Sequence, residues 1–160
     1  GIHAIDSIPW ACGHQIARVE AARCWNAFAP QYPHFEDGAQ VMLTLDNGAG
    51  VLGDLSYFAP DGPGYSMPYY WRMTWWGRDG MLEAGTNMPT VHLLRAEDTE
   101  GEQIPLDDSG PGYLDAFLRS INQDEPLEGE LTTDQVLASS RTAIRIQAAA
   151  DEGATAVALT

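Results

Sequence analysis

The amino-acid sequence predicts an α+β domain in which helices pack on one face of an open, mainly antiparallel β-sheet. Short runs with alternating apolar positions fill residues 16 to about 106, and Gly, Pro, Asn and Asp residues separate them. After these runs, helical spacing of apolar residues begins beyond residue 112. Strands followed by helices, rather than alternating with them, are typical of this fold class. With no repeat or low-complexity linker, residues 1–160 are predicted to form a single domain.

The clearest strand signal is a hairpin over residues 40–58. Val41, Leu43 and Leu45 occupy alternate positions before the pair Asn47-Gly48, and a second alternating run follows. Both residues of an Asn-Gly pair tolerate positive φ, so the sequence predicts a type I′ turn between the two strands.

Five further strands are predicted over residues 16–25, 69–76, 81–83, 91–95 and 103–106, as parts of an antiparallel meander. In the first of them, Ala17, Val19 and Ala21 are expected on one side.

The run 69–76 is apolar on both of its faces, with Tyr70 and Arg72 on the same face. This indicates that both sheet faces are covered, one by helices and the other by a partner subunit or a substrate. Arg72 is therefore a candidate polar contact to a ligand, with a structural ion pair as the alternative.

Two amphipathic helices are predicted near the end of the chain. The first carries apolar residues that recur at helical spacing, namely Tyr113, Leu114, Phe117, Leu118 and Ile121. The second opens at Thr132, with Gln135 completing a capping box, and stops near Gly153. Its apolar face is expected to consist of Val136, Leu137, Ala143, Ile144 and Ala148.

A third helix is expected at the start of the chain, where His3 and Asp6 stand three residues apart. This spacing brings two side chains to neighbouring positions on one helix face. A histidine beside a carboxylate suits proton transfer or the binding of a polar substrate. The alternative is a histidine at a helix end and a solvated or capping aspartate. Pro9 is expected to bend or end this helix, because it has no N–H for the carbonyl of Ile5.

The remaining candidate residues indicate a metal site, a binding site or a catalytic motif less clearly. The set Cys12, His14, Cys24 and His34 offers zinc-type ligands, but only two of them are close in sequence, so buried cysteines acting as small hydrophobic side chains are favoured. The many Tyr and Trp residues between 57 and 76 suit the core, a protein partner or the face of a sugar. The sequence has no Gly-x-Gly-x-x-Gly, P-loop or Gly-x-Ser-x-Gly motif.

Composition excludes several classes of partner. The formal net charge is −15, and all eight basic residues are Arg. Nucleic acid and anionic membrane surfaces are therefore not expected to bind.

Apolar runs are far shorter than the roughly 20 residues that cross a bilayer. With two cysteines and no visible secretion signal, a reducing, cytoplasmic location is expected, and the start at Gly1 suggests a portion of a longer protein.

Several short motifs follow one another along the chain: Gly1-Ile2-His3-Ala4-Ile5-Asp6 with Trp10 and Gly13, Asp37-Gly38-Ala39 before the hairpin, Trp76-Gly77-Arg78-Asp79-Gly80-Met81-Leu82-Glu83, and Thr132-Thr133-Asp134. Their order resembles the C-terminal domain of the glucose-fructose oxidoreductase / inositol dehydrogenase (Gfo/Idh/MocA) family over nearly all 160 residues. Each motif is only moderately specific, and their shared order carries the resemblance.

The resemblance implies a two-domain NAD(P)-dependent dehydrogenase acting on a sugar, cyclitol or related polyhydroxy compound. A Rossmann domain outside this chain would bind NAD or NADP, so the 160 residues alone are expected to bind no dinucleotide and to be inactive. His3 matches the family's catalytic histidine, while the family's catalytic Asp and Lys would lie before Gly1. Because of Pro9, the helix that carries His3 is expected to be shorter than in relatives.

Within this interpretation Asp6, Arg72 and Tyr70 are the candidate substrate-binding residues, and no metal or cofactor ligand is assigned. The open sheet face is expected to form a homodimer or homotetramer. Two alternatives stay open: a non-catalytic protein-interaction or dimerisation module, and an NAD-dependent relative that acts as a glycosidase.

Overall fold

The computed structural model describes residues 1–67, 70–107 and 112–159. In chain order its helices and strands are α1 (Ile2–Cys12), β1 (Ile16–Trp25), β2 (Gly38–Leu45), β3 (Gly50–Ser56), β4 (Arg72–Gly77), β5 (Gly80–Gly85), β6 (Thr90–Arg95), β7 (Glu102–Pro105), α2 (Tyr113–Ile121), α3 (Thr133–Glu152) and β8 (Val157–Ala158). All the strand pairs they form are antiparallel. The predicted α+β class with open, mainly antiparallel β-structure is confirmed.

The chain divides into two compact units, and the sheet predicted as one is present as two four-stranded sheets. Unit 1 consists of Gly1–Ala59 and Pro111–Thr160, and its sheet has the strand order β3-β2-β1-β8. Unit 2 consists of Pro60–Gly110 and contains the meander β4-β5-β6-β7.

The core of unit 1 lies between one face of its sheet and the helices α1 and α3. Val19 and Leu43, paired across β1 and β2, are completely buried there. Ile5 of α1 and Ile146 of α3 close this core from the helical side. Helices therefore cover one face of this sheet, as the sequence predicts.

The register of β1 differs from the prediction. Val19 is buried but Ala21 is exposed, because a bulge between them shifts the pairing with β2. An extra residue in one strand moves the following side chains to the opposite face.

The hairpin between β2 and β3 is present, but its turn is not type I′. Gly48 has φ 86° whereas Asn47 does not have positive φ. The Gly48 N–H donates to the carbonyl of Leu45, which leaves Asp46 and Asn47 at the centre of the turn. Asp46 is also held from outside the hairpin, since its N–H donates to the carbonyl of Gln15.

Helix α3 begins and ends as predicted. Thr132 and Gln135 form the capping box, and Gly153 closes the helix in the left-handed conformation with φ 63°. Its buried face was predicted wrongly: Ile146 and Ala149 face the core, while Ile144 is 70% exposed. Packing against β1 and α1 selects this face, and the local apolar pattern does not reveal it.

The strand predicted over 69–76 begins only at Arg72, and the first predicted residue, Tyr69, lies outside the described residues. Trp71 has φ 52°, a left-handed conformation that interrupts the alternation just before the strand. Tyr70 and Arg72 therefore do not share a strand face, although the sequence pattern predicted that they would.

Candidate functional site

Helix α1 carries the candidate histidine and runs through Pro9 to Cys12, so it does not end at the proline. His3 lies in the first turn and is exposed. The Ser7 hydroxyl donates to the carbonyl of His3 over 2.7 Å, and Ile5 anchors the opposite side of the helix in the core. The imidazole is thus presented to solvent from a helix whose other face is buried.

Asp6 lies one turn after His3 and contacts α3. Its carboxylate accepts a hydrogen bond from the Ser139 hydroxyl over 2.6 Å, across 133 residues of sequence. This part-buried bond borders a cleft of about 100 Å³ between the two helices, whose lining also includes Trp10 and Thr142. The lining of this cleft brings a carboxylate, hydroxyl groups and an indole together.

The other two candidate residues lie in unit 2. Arg72 stands 3.8 Å from the carboxylate of Glu83 on the neighbouring strand, which is the ion pair that the sequence offered as the alternative to a ligand contact. The Tyr70 ring lies 5.6 Å from Tyr65 and 6.2 Å from Trp71 between ring centroids. His3 and Asp6 thus belong to one unit and Tyr70 and Arg72 to the other.

Asp37 is a buried carboxylate to which the sequence analysis assigned no role of its own. It is buried just before β2, and its two carboxylate oxygens accept the N–H groups of Ala27 and Phe28, both over 2.7 Å. These bonds fix the loop that carries exposed aromatic rings such as Phe28. The only local signal for this role was the position of Asp37 directly before Gly38, the glycine that opens β2.

Gly38, the next residue, has to be glycine. A Cβ atom there would come within 2.7 Å of the Trp25 ring and 2.8 Å of Phe58. The two rings pack with a centroid distance of 5.9 Å, and Arg23 lies over Trp25. An aromatic cluster therefore closes one end of the sheet in unit 1.

We predict that Asp37 makes unit 1 sensitive to acid. Burial acts to raise the pKa of its carboxyl group, but the backbone N–H groups around it, led by those of Ala27 and Phe28, together outweigh burial and hold the pKa below its ordinary value. A carboxylate with a lowered pKa in the folded state stabilises the protein above the unfolded-state pKa, and this stability is lost as the pH falls through the folded-state value.

The measurement is urea unfolding between pH 7 and pH 3 for wild type and Asp37→Asn. The variant is expected to be less stable at pH 7, because an amide oxygen and an NH₂ group cannot both accept N–H bonds, and to lose less stability on acidification. Asp124→Asn, at an exposed position after α2, is the control. Equal acid sensitivity of wild type and Asp37→Asn would contradict the prediction.

The cysteines are unpaired and half-buried. The Cys12 thiol contacts the carbonyls of Ile8 and His14, while burial and the nearby Glu36 raise the pKa of Cys24. His14 instead pairs with Asp46 over 2.8 Å. Within residues 1–67, 70–107 and 112–159, no three His, Cys, Asp or Glu side chains are grouped so that they could hold a metal ion.

Among the described residues, no helix is both long and apolar enough to cross a bilayer. No protein-family model matches the sequence, and no curated protein matches it significantly.

Solved structures do match it, over nearly its whole length. A predicted oxidoreductase from Thermotoga maritima superimposes with a TM-score of 0.80 at 24% identity, covering 98% of this chain and 45% of its own. An aldose-aldose oxidoreductase from Caulobacter crescentus, solved with glycerol, has a TM-score of 0.70 at 19% identity, covering 99% and 46%. The chain has the fold of one part, about 45%, of these oxidoreductases.

A 3-ketoreductase from Actinomadura kijaniata, solved with TDP-benzene and NADP, shares this fold with a TM-score of 0.65 at 18% identity, covering 97% of this chain and 46% of its own. The chain thus spans less than half the length of these proteins. The fold predicted from the order of motifs is confirmed.

Proposed function

We propose that this chain is the substrate-binding and oligomerisation domain of an NAD(P)-dependent oxidoreductase that acts on a sugar, a cyclitol or a related polyhydroxy compound. The observation that supports the proposal is the match of almost the whole chain to 46% of an aldose-aldose oxidoreductase and to 46% of a 3-ketoreductase solved with NADP. The cytoplasm is the proposed location.

The described residues do not fit a dinucleotide. Their strand pairs are all antiparallel, whereas the dinucleotide cradle is a parallel βαβ unit with a glycine-rich turn. We therefore assign NAD or NADP to a domain outside these 160 residues and no cofactor contact to the chain itself.

His3 is the proposed catalytic residue of this domain. An exposed imidazole on a firmly packed helix is accessible to a substrate hydroxyl, and imidazole exchanges protons near neutral pH. In the proposal His3 hydrogen-bonds the reacting hydroxyl group and assists a lysine from outside this chain in proton transfer. Asp6, Tyr70 and Arg72 are the proposed substrate contacts.

The test is an assay of the protein expressed from its entire reading frame. Purified protein is incubated with NAD⁺ or NADP⁺ and with D-glucose, D-xylose or myo-inositol, and reduced nicotinamide is followed by fluorescence. Reduction of either cofactor by one of these polyhydroxy compounds supports the proposal. Release of sugar from aryl glycosides without net reduction would favour a glycosidase, and absence of dinucleotide binding would overturn the proposal.

The oligomerisation part of the proposal concerns the face of the unit 1 sheet that points away from α1 and α3. Met42 is 48% exposed and Leu52 is 81% exposed on this face. The same face carries a hydrogen-bonded row from Arg23 through Gln40 to Asp54. Apolar side chains flanked by ordered polar groups are typical of subunit interfaces.

We predict that Leu52→Glu dissociates the oligomer. A charge placed on the exposed apolar part of the face would be buried without a partner in an interface. Sedimentation velocity is expected to show a dimer or tetramer for wild type and a smaller species for Leu52→Glu. Ile144→Glu, on the solvent side of α3, is the control and should keep the wild-type state. A monomeric wild type would reject the proposed interface.

A further inference from the structure

Helix α1 has little stability of its own. It spans 11 residues, its N-cap Gly1 offers no side-chain hydrogen bond, and its first turn has no acidic residue. Pro9 removes one hydrogen-bond donor from its centre. Isolated helices of this length are marginal in water, so tertiary contacts must fix the position of α1 and of His3.

Helix α3 provides a rigid support for α1. It has 20 residues, a complete capping box and a glycine C-cap, and it packs against both β1 and α1. Ser139 lies on the side of α3 that faces α1, with its hydroxyl donating to Asp6. A hydrogen bond to a carboxylate is among the stronger polar contacts in proteins.

The Asp6–Ser139 bond is well placed to act on His3. Asp6 follows His3 by one helical turn, so a bond that holds Asp6 also fixes the direction in which the first turn of α1 points. Ile5 anchors the same turn in the core through apolar contacts. The hydrogen bond adds a preferred direction to this apolar packing.

We propose that Ser139 is a positioning residue that orients the His3 imidazole through Asp6. This inference rests on the proposed catalytic role of His3 and adds to it a residue of α3 that does not contact the reacting atoms. In this proposal the carboxylate oxygen of Asp6 that receives the Ser139 bond serves orientation, and a substrate hydroxyl binds the other oxygen.

The test compares three variants of the full-length protein with wild type, using the polyol and cofactor that give turnover. Ser139→Ala is expected to lower kcat about 10- to 100-fold, the range in which small misplacements of a catalytic group act. Its KM for the dinucleotide should stay unchanged. Ser139→Thr keeps the hydroxyl group and should restore kcat to within about threefold of wild type.

The matched control is Ser140→Ala. Ser140 is the next residue on α3, and its hydroxyl contacts only the carbonyl of Val136 in its own helix among the bonds that the structure describes. Loss of that local bond is expected to leave kcat unchanged. An equal loss in both alanine variants would show a general effect on α3 and overturn the proposal.

A double-mutant cycle separates positioning from a simple loss of stability. If Ser139 acts through Asp6, the double variant Asp6→Ala/Ser139→Ala should lose no more kcat than Asp6→Ala alone. Thermal unfolding of the same samples gives the folded fraction, to which kcat is normalised. Unchanged normalised kcat in Ser139→Ala, or additive losses in the cycle, would overturn the role of Ser139.

Hydrogen exchange gives a readout that does not depend on turnover. Ser139→Ala should accelerate exchange of the α1 amides about tenfold more than that of the β1 amides, and Ser139→Thr should reverse this change. Unchanged exchange in α1 would overturn the proposal even if no tested polyol is a substrate. If α1 loosens as expected but His3→Ala keeps full turnover, the proposed function fails instead.

Discussion

Replacing His3 with alanine is expected to lower kcat/KM of the full-length protein for its polyol substrate by about 100-fold or more. General acid–base catalysis by a placed imidazole contributes about 10²- to 10⁴-fold to turnover. His3 is exposed on the first turn of α1, so its removal leaves the core residue Ile5 in place. The measurement is steady-state kinetics with NAD(P)H formation, together with thermal unfolding to confirm that the variant is folded.

His34→Ala is the matched control, because His34 is also exposed but lies in the loop between β1 and β2. It is expected to keep wild-type kinetics. A variant His3→Gln, which hydrogen-bonds but does not exchange a proton near neutral pH, should resemble His3→Ala in kcat while recovering part of the substrate KM. Wild-type turnover in His3→Ala would exclude the catalytic role.

Replacing Leu43 with alanine is expected to cost about 3 kcal/mol of folding free energy, the largest stability effect we predict. Leu43 lies in β2 between β1 and β3, is 1% exposed and pairs with Val19 and Val51. Truncating a buried leucine loses its transfer free energy and leaves a cavity, at a total cost of about 2.7–5.0 kcal/mol. For a chain of this size the unfolding midpoint should fall by about 6–12 °C.

Circular dichroism at the helical band measures this effect specifically in unit 1, since the helices α1, α2 and α3 all belong to it. Leu114→Ala provides the control, because Leu114 is 56% exposed on α2. Its unfolding midpoint is expected within about 2 °C of wild type. Equal midpoints for Leu43→Ala and Leu114→Ala would show that Leu43 does not lie in the core.

Local signals predicted some parts of the fold closely. The capping box Thr132–Gln135 and the stop at Gly153 depend on residues within one turn of each helix end, and both are present. The predicted strand over 16–25 coincides with β1, Ile16–Trp25. In each case the chemistry that sets the boundary lies within a few residues of it, so the sequence pattern carries the information.

Other parts depended on distant residues and were predicted wrongly or missed. The turn at Asn47-Gly48 differs from type I′ in a hairpin that is also held by His14 and Gln15, about 30 residues upstream. The buried face of α3 was misplaced because packing on β1, not the order of apolar residues, selects Ile146. These outcomes follow from long-range contacts.

The candidate site also combines features that local sequence predicts with features that distant contacts decide. His3 and Asp6 were recognised from their spacing and from a resemblance to a family, and the structure places both on α1. The bond between Asp6 and Ser139 spans 133 residues, so no local pattern could reveal it. The role of Asp37 was likewise hidden, since its partners Ala27 and Phe28 are bound through backbone N–H groups that every non-proline residue has.

By itself, then, the sequence determined the types and order of most helices and strands, the α+β class and the candidate residues His3 and Asp6. Tertiary structure alone decided that the strands form two sheets, which face of α3 is buried and what the carboxylates of Asp6 and Asp37 bind. The reason is physical: periodicity and capping act over one or two turns, whereas burial and long-range hydrogen bonds exist only once distant segments have packed together.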